Sequence, residues 1–239
     1  MTKKILLYGI NFSLLHRLVL GAECWLMRRF DVVSTISQRM HQRLLDKGVL
    51  ADKARLAVNW VDMAQFALPS LDGVAAYRRE LGIADGAVVA LYSGNMGGKQ
   101  GLELLADVAR LCSEVAFVFC GNGAGRADLV ARCAGLPNVR FLDLQPLERL
   151  PDLLATADIH LLPQKAEAAD LVMPMVQACG LVVPPENPAA FSDALKLLAA
   201  DPVLCERLGA AGFLYAQENL DRDAVLAKFE ADLQRVVLG

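Results

Sequence analysis

Ala87-Val88-Val89-Ala90-Leu91-Tyr92 runs directly into Ser93-Gly94-Asn95-Met96-Gly97-Gly98-Lys99-Gln100-Gly101, and apolar residues then recur at helical spacing to Leu111. The first six residues have no polar interruption, as expected of a strand covered on both faces. A strand, a glycine-rich loop and a helix form the unit from which parallel α/β sheets are built. Such a loop also has a chemistry. Glycines let backbone N–H groups approach an anion, and the N-terminus of the following helix adds its field. Lys99 stands where a cation would meet a phosphate; the alternative is a plain turn with a solvated lysine.

The alternation continues on both sides. Downstream, the pattern predicts strands at Val115–Cys120, Val139–Leu142 and Ile159–Leu162, with helices at Arg126–Ala134 and Arg149–Ala155. Another strand is expected at Leu181–Val183, and closing helices at Ala189–Ala200, Val203–Gln217 and Ala224–Val236. Upstream, Ile5–Ile10, Val32–Ile36 and Arg55–Val58 read as strands, and Leu14–Phe30 and Gln38–Lys47 as helices. Asn59–Leu81 lacks a strong period and contains Pro69 and Gly73, so a linker is expected there. The domains predicted are 1–66, a linker at 67–86, 87–220, and a closing helix at 221–239.

Composition narrows the function. The chain has 239 residues, 55% hydrophobic, with net charge −3, which argues against a strongly basic nucleic-acid surface. Six cysteines lie at 24, 112, 120, 133, 179 and 205 with no C-x-x-C pair, and read as small buried hydrophobes in a reducing compartment. No stretch of eighteen apolar residues suggests a membrane span. Glu23 beside Cys24 argues against a lipoprotein cleavage site.

A second loop, Gly121-Asn122-Gly123-Ala124-Gly125-Arg126, nearly matches the dinucleotide fingerprint, with Asp143 in the place of the ribose-binding acid. Arg126 occupies the third glycine position, and the loop follows the second strand of its domain. It is expected to shape the site without binding a dinucleotide; an NAD-type oxidoreductase is kept as the rival.

The ordered set of motifs is more specific than any one of them. Val33-Ser34-Thr35-Ile36-Ser37 precedes a helix and then Asn59-Trp60-Val61-Asp62 with Phe66 and Pro69. After the first glycine loop come Phe119-Cys120-Gly121-Asn122-Gly123, Asn138–Leu142, Leu150-Pro151-Asp152-Leu153-Leu154-Ala155-Thr156-Ala157-Asp158, Leu162-Pro163 and Gly180–Pro185. In this the chain resembles the GT-B glycosyltransferases of the glycogen-synthase-like (group 1) family. Asp170-Leu171-Val172-Met173-Pro174 is similar to exopolysaccharide and colanic-acid-type transferases.

The resemblance implies two Rossmann-like domains with parallel sheets flanked by helices, the first incomplete here, and a cleft between them. It implies transfer of a glycosyl group from a nucleoside diphosphate sugar to an acceptor hydroxyl, with retention and without a metal or other cofactor. Carried over, Gly94, Asn95, Gly97, Lys99 and Gln100 would face the donor diphosphate. The arginine and lysine common in the family fall at Asn95 and Gln100. Gly121, Leu142, Asp143 and Leu144 would lie by the base, and Asp170 by the donor sugar. The paired-glutamate motif lacks its second acid, because Ala178 stands there. Catalytic residues of the first domain are not identified, which keeps a non-catalytic nucleotide-sugar-binding module as a second rival.

The partners implied are a nucleotide sugar and a glycan or lipid-linked glycan acceptor. Localisation is expected to be cytoplasmic. The helix Leu14–Phe30, with His16, Arg17, Arg28 and Arg29, would suit peripheral contact at the inner face of the membrane; the alternative is a core-packed helix with solvated basic ends. Against the family's pattern, on the order of 100 residues are expected to be missing between Phe12 and Ser13, and roughly 25–35 between Pro174 and Met175.

Overall fold

The computed structural model describes residues 12–66, 69–165 and 179–238. The chain divides into two compact units, Met1–Trp60 with Arg222–Gly239, and Val61–Asp221.

The first unit begins with α1 (Phe12–Arg29), β1 (Val33–Thr35), α2 (Gln38–Asp46) and β2 (Ala54–Leu56). β1 and β2 pair in parallel with Val33 opposite Ala54. Ser37 caps α2 by accepting from the Met40 N–H, as an N-cap serine should. The small core joins Leu44, Val49 and Ala54, with Met27 and Val33 packed on it. The helix Arg222–Leu238 belongs to this unit, and Asp232 on it lies 3.7 Å from the Arg55 guanidinium.

The second unit holds α3 (Leu71–Glu80), β3 (Val89–Ser93), α4 (Glu103–Leu111), β4 (Ala116–Cys120), α5 (Arg126–Arg132), β5 (Val139–Leu142), α6 (Leu150–Ala155) and β6 (Ile159–His160). The helices α7 (Pro188–Ala200) and α8 (Pro202–Asn219) follow, and α9 is Arg222–Leu238 of the first unit. The sheet order is β5-β4-β3-β6, all parallel. Successive strand residues face opposite sides. Ala90, Tyr92, Phe117 and Phe119 pack with α4, α5 and Leu195 of α7 on one face. Val89, Leu91, Val118 and Cys120 pack with Tyr77 and Leu153 on the other. This double covering is why Val89–Tyr92 of β3 and the whole of β4 carry no polar interruption.

Polar side chains fasten the layers. Asn138 Nδ2 faces the carbonyls of Ala109, Cys112 and Val115 at 3.0–3.1 Å. Asp158 accepts the Val89 N–H at 2.8 Å and ties β6 to β3. Asp152 accepts the Ser70 N–H at 2.7 Å beside the start of α3.

Two expectations need correction. The stretch expected as a linker contains α3, whose Tyr77 is 1% exposed in the second unit's core. Leu181–Val183 is not a strand, and the neighbouring β6 offers only two residues for pairing. Ile5–Ile10 and the Pro174–Met175 junction lie outside the described residues.

Candidate functional site

In an open parallel sheet, ligands collect beyond the carboxyl ends of the strands, where the strand order reverses. Here that point lies between β3 and β6, with the end of β4 next to β3. The loop after β3 is held from below. Met96 is wholly buried in the core, and the Tyr92 hydroxyl donates to the Asn95 carbonyl at 2.7 Å. Burial also pushes the Tyr92 hydroxyl pKa up, so it stays a donor.

The second loop braces the first. Gly94 N–H donates to Cys120 O at 3.0 Å, Met96 N–H to Asn122 O at 2.9 Å, and Gly125 N–H to Met96 O at 2.7 Å. The two loops approach so closely that a side chain on Gly121 would begin 1.9 Å from Gly94 O, and one on Gly123 2.6 Å from Met96 O. These glycines are needed for loop-on-loop packing.

This bracing leaves a row of donors unused. Among the described residues, the N–H groups of Asn95, Gly97, Gly98 and Lys99 make no backbone hydrogen bond. They precede α4, so the arrangement suits an anion electrostatically. The Asn95 and Gln100 side chains meet over Gly97, where an added side chain would begin 2.9 Å from Gln100 Oε1 and 3.3 Å from Asn95 Nδ2. Gln100 Oε1 is buried with no hydrogen-bond partner. Lys99 is exposed.

Beyond β5, Leu142 O accepts the Gly121 N–H at 3.0 Å. Asp143 O accepts from Gln145 Nε2 at 2.9 Å and from the Cys120 thiol at 3.3 Å. Gln145 Oε1 in turn accepts from the Tyr77 hydroxyl at 2.9 Å. The Asp143 carboxylate is engaged by Arg126 at 3.0 Å, and Arg126 also lies over the Phe141 ring. The glycines of this loop serve packing against the first loop, and its acid is paired with Arg126. Leu144 is 66% exposed at this end of the sheet.

The fold thus brings Gly94, Asn95, Gly97, Lys99, Gln100, Gly121, Leu142, Asp143 and Leu144 to the carboxyl ends of three adjacent strands. Asp170 lies outside the described residues. Tyr92 and Met96 escaped the sequence reading; the signal for Met96 was an apolar residue inside a glycine loop. A separate apolar cavity of about 740 Å³ runs along β6, lined by Leu161, Pro163, Leu181, Val183, Phe191 and Leu198. Its lining does not suit a diphosphate.

Residues 87–183 match the family described as glycosyl transferases group 1. The chain carries a group 1 glycosyltransferase domain. It is 32% identical over 240 residues to the colanic acid biosynthesis glycosyl transferase WcaI of Escherichia coli strain K12, covering 87% of this chain and 58% of that protein. HepE of Anabaena, solved with UDP and glucose, matches with a TM-score of 0.77 at 16% identity, over 90% of this chain and 66% of that one. Sucrose-phosphate synthase of Thermosynechococcus elongatus matches at 0.76 and 18%, over 97% and 65%. These likenesses show the GT-B fold. Within the group 1 domain, the two glycine loops and the end of β5 all fall inside the matched span. Among the described residues no helix is long and apolar enough to cross a membrane.

Proposed function

We propose that this chain serves a glycosyltransferase that moves a sugar from a nucleoside diphosphate sugar to an acceptor hydroxyl, in the making of a bacterial exopolysaccharide or other surface glycan. One observation carries the proposal: the unused N–H groups of Asn95, Gly97, Gly98 and Lys99, on a loop pinned by Tyr92 and Met96 ahead of α4. A fixed row of donors stabilises negative charge as it develops on the departing diphosphate, with no reorganisation at the moment of transfer. The base lies by Gly121, Leu142, Asp143 and Leu144, the sugar toward Asp170. The reaction retains anomeric configuration and uses no metal or further cofactor. The names of WcaI and of the UDP-bound HepE support the substrate class.

The protein works in the cytoplasm against a glycan or lipid-linked acceptor. α1 leaves Leu18, Val19, Trp25 and Leu26 more than half exposed, with Arg29 over the Trp25 ring. That combination supports contact with the inner face of the membrane.

A second reading, a non-catalytic nucleotide-sugar-binding module, is favoured by Ala178, which stands where the paired-acid motif has its second acid. Incubation with UDP-glucose, GDP-mannose and related donors, with and without bacterial lipid extract, separates the two. Release of nucleoside diphosphate supports the enzyme. Stoichiometric binding without release supports the module, and absence of both refutes the proposal.

A further inference from the structure

Of the residues assigned to the diphosphate, Lys99 is the one cation, and it is exposed. Asn95 and Gln100, which flank Gly97, are neutral. A nucleoside diphosphate brings at least two negative charges, and N–H groups alone supply only partial positive charge. Lys165 stands at this end of the sheet, five residues beyond the end of β6. Its backbone nitrogen and Cγ both lie 3.5 Å from the point where a side chain on Gly101 would begin. It therefore borders the turn that joins the loop to α4.

Lys165 Nζ lies 2.8 Å from Glu103 Oε1, and the two side chains are 35% and 46% exposed. Glu103 is the first residue of α4. Its carboxyl is held below the ordinary value, chiefly by the hydrogen bond from Lys165. An anion therefore already sits at the helix N-terminus, paired with the lysine of the adjacent strand end. That is also the arrangement a phosphate oxygen would adopt.

We infer that Lys165 is the cation that neutralises the donor diphosphate, and that Glu103 holds it until a phosphate displaces the carboxylate. The inference rests on the diphosphate assignment of the Gly94–Gly98 loop. A lysine on a flexible four-carbon stem can exchange one anion for another without moving the backbone. A half-exposed carboxylate is a weak competitor because solvent screens it. The diphosphate carries more charge and is also gripped by the N–H row. Glu103 thus lowers affinity and keeps Lys165 oriented.

The two partners must then act with opposite signs. Calorimetric titration uses the tightest binder among UDP, GDP, ADP and dTDP, with wild type, Lys165→Met, Glu103→Gln, Lys99→Met and Gly97→Val. Lys165→Met should bind about tenfold more weakly, with a reduced dependence on salt. Glu103→Gln should bind about threefold more tightly, because a competitor is gone. A misfolded variant does not gain affinity, so the second result has no trivial explanation. If both variants lose affinity alike, or if Lys99→Met weakens binding while Lys165→Met does not, the role of Lys165 is refuted. If no nucleotide binds wild type, or Gly97→Val leaves affinity unchanged, the diphosphate assignment falls and takes the inference with it.

Discussion

Gly121→Ala should separate the two glycine loops. Its new Cβ would start 1.9 Å from Gly94 O and 3.0 Å from Gly94 C, both backbone atoms with no flexible end to swing aside. Reaching an ordinary carbon–oxygen contact of ~3.3 Å requires a displacement of about 1.4 Å. That opens the three hydrogen bonds joining the loops, at 3.0, 2.9 and 2.7 Å. Each contributes on the order of 1 kcal/mol net. The φ of +143° at Gly121 adds strain for any side chain, of order 1–3 kcal/mol. The expected destabilisation is about 4 kcal/mol, at the upper end for a single substitution. Urea unfolding followed by far-UV circular dichroism suits this, because both tryptophans, Trp25 and Trp60, lie in the first unit. Hydrogen exchange should localise the lost protection to Val89–Gly94 and Phe117–Gly121. Gly209→Ala on α8 is the control: its Cβ would meet nothing within 4 Å, and alanine there should stabilise by ~0.5–1 kcal/mol. A Gly121→Ala protein that unfolds at the wild-type urea concentration, with unchanged exchange, would refute the loop-on-loop packing.

Tyr92→Phe removes the hydroxyl that holds Asn95 O, at a cost of about 1 kcal/mol; nucleoside diphosphate affinity should drop several-fold, and unchanged calorimetry counts against preorganisation of the loop. Asn138→Ala leaves the carbonyls of Ala109, Cys112 and Val115 without their donor and should lower unfolding stability by about 1–3 kcal/mol. Leu71→Ala, at an 88% exposed position, should change little. Glu103 has a depressed folded pKa, so its stabilising pairing is present above the ordinary value of 4.5 and is lost as pH falls through the folded value. Wild type should therefore lose stability faster than Glu103→Gln between about pH 5 and pH 3; parallel curves would show that the pair does not matter.

The second unit was legible because its central strands, β3 and β4, are buried on both faces. Runs such as Val115–Phe119 therefore carry no competing pattern, and glycine punctuation marks their ends. α3 was not legible. Pro69 and Gly73 read as breakers, and one buried residue, Tyr77, makes no periodic stripe, although Ser70 supplies the N-cap. The Gly121–Gly125 pattern records a close backbone approach without recording to what. The sequence matches a nucleotide fingerprint, whereas the fold spends the glycines on the neighbouring loop. Tyr92 bonds the Asn95 carbonyl only three positions on, whereas Lys165 is placed by a tertiary neighbour. One partner of Lys165, Glu103, lies 62 positions away on another element, beyond the reach of any local motif. For α1 the apolar side was visible, but its exposure depends on what packs against it.

The most direct test of the central claim is calorimetric titration of nucleoside diphosphates into wild type and Gly97→Val. A side chain at Gly97 would begin 2.9 Å from Gln100 Oε1 and 3.3 Å from Asn95 Nδ2, on the loop that carries the unused N–H groups. The account predicts one-to-one binding of at least one nucleoside diphosphate to wild type, at least about tenfold weaker in Gly97→Val, and no comparable binding of NAD. Equal affinity in the two proteins, with the variant folded, would contradict it.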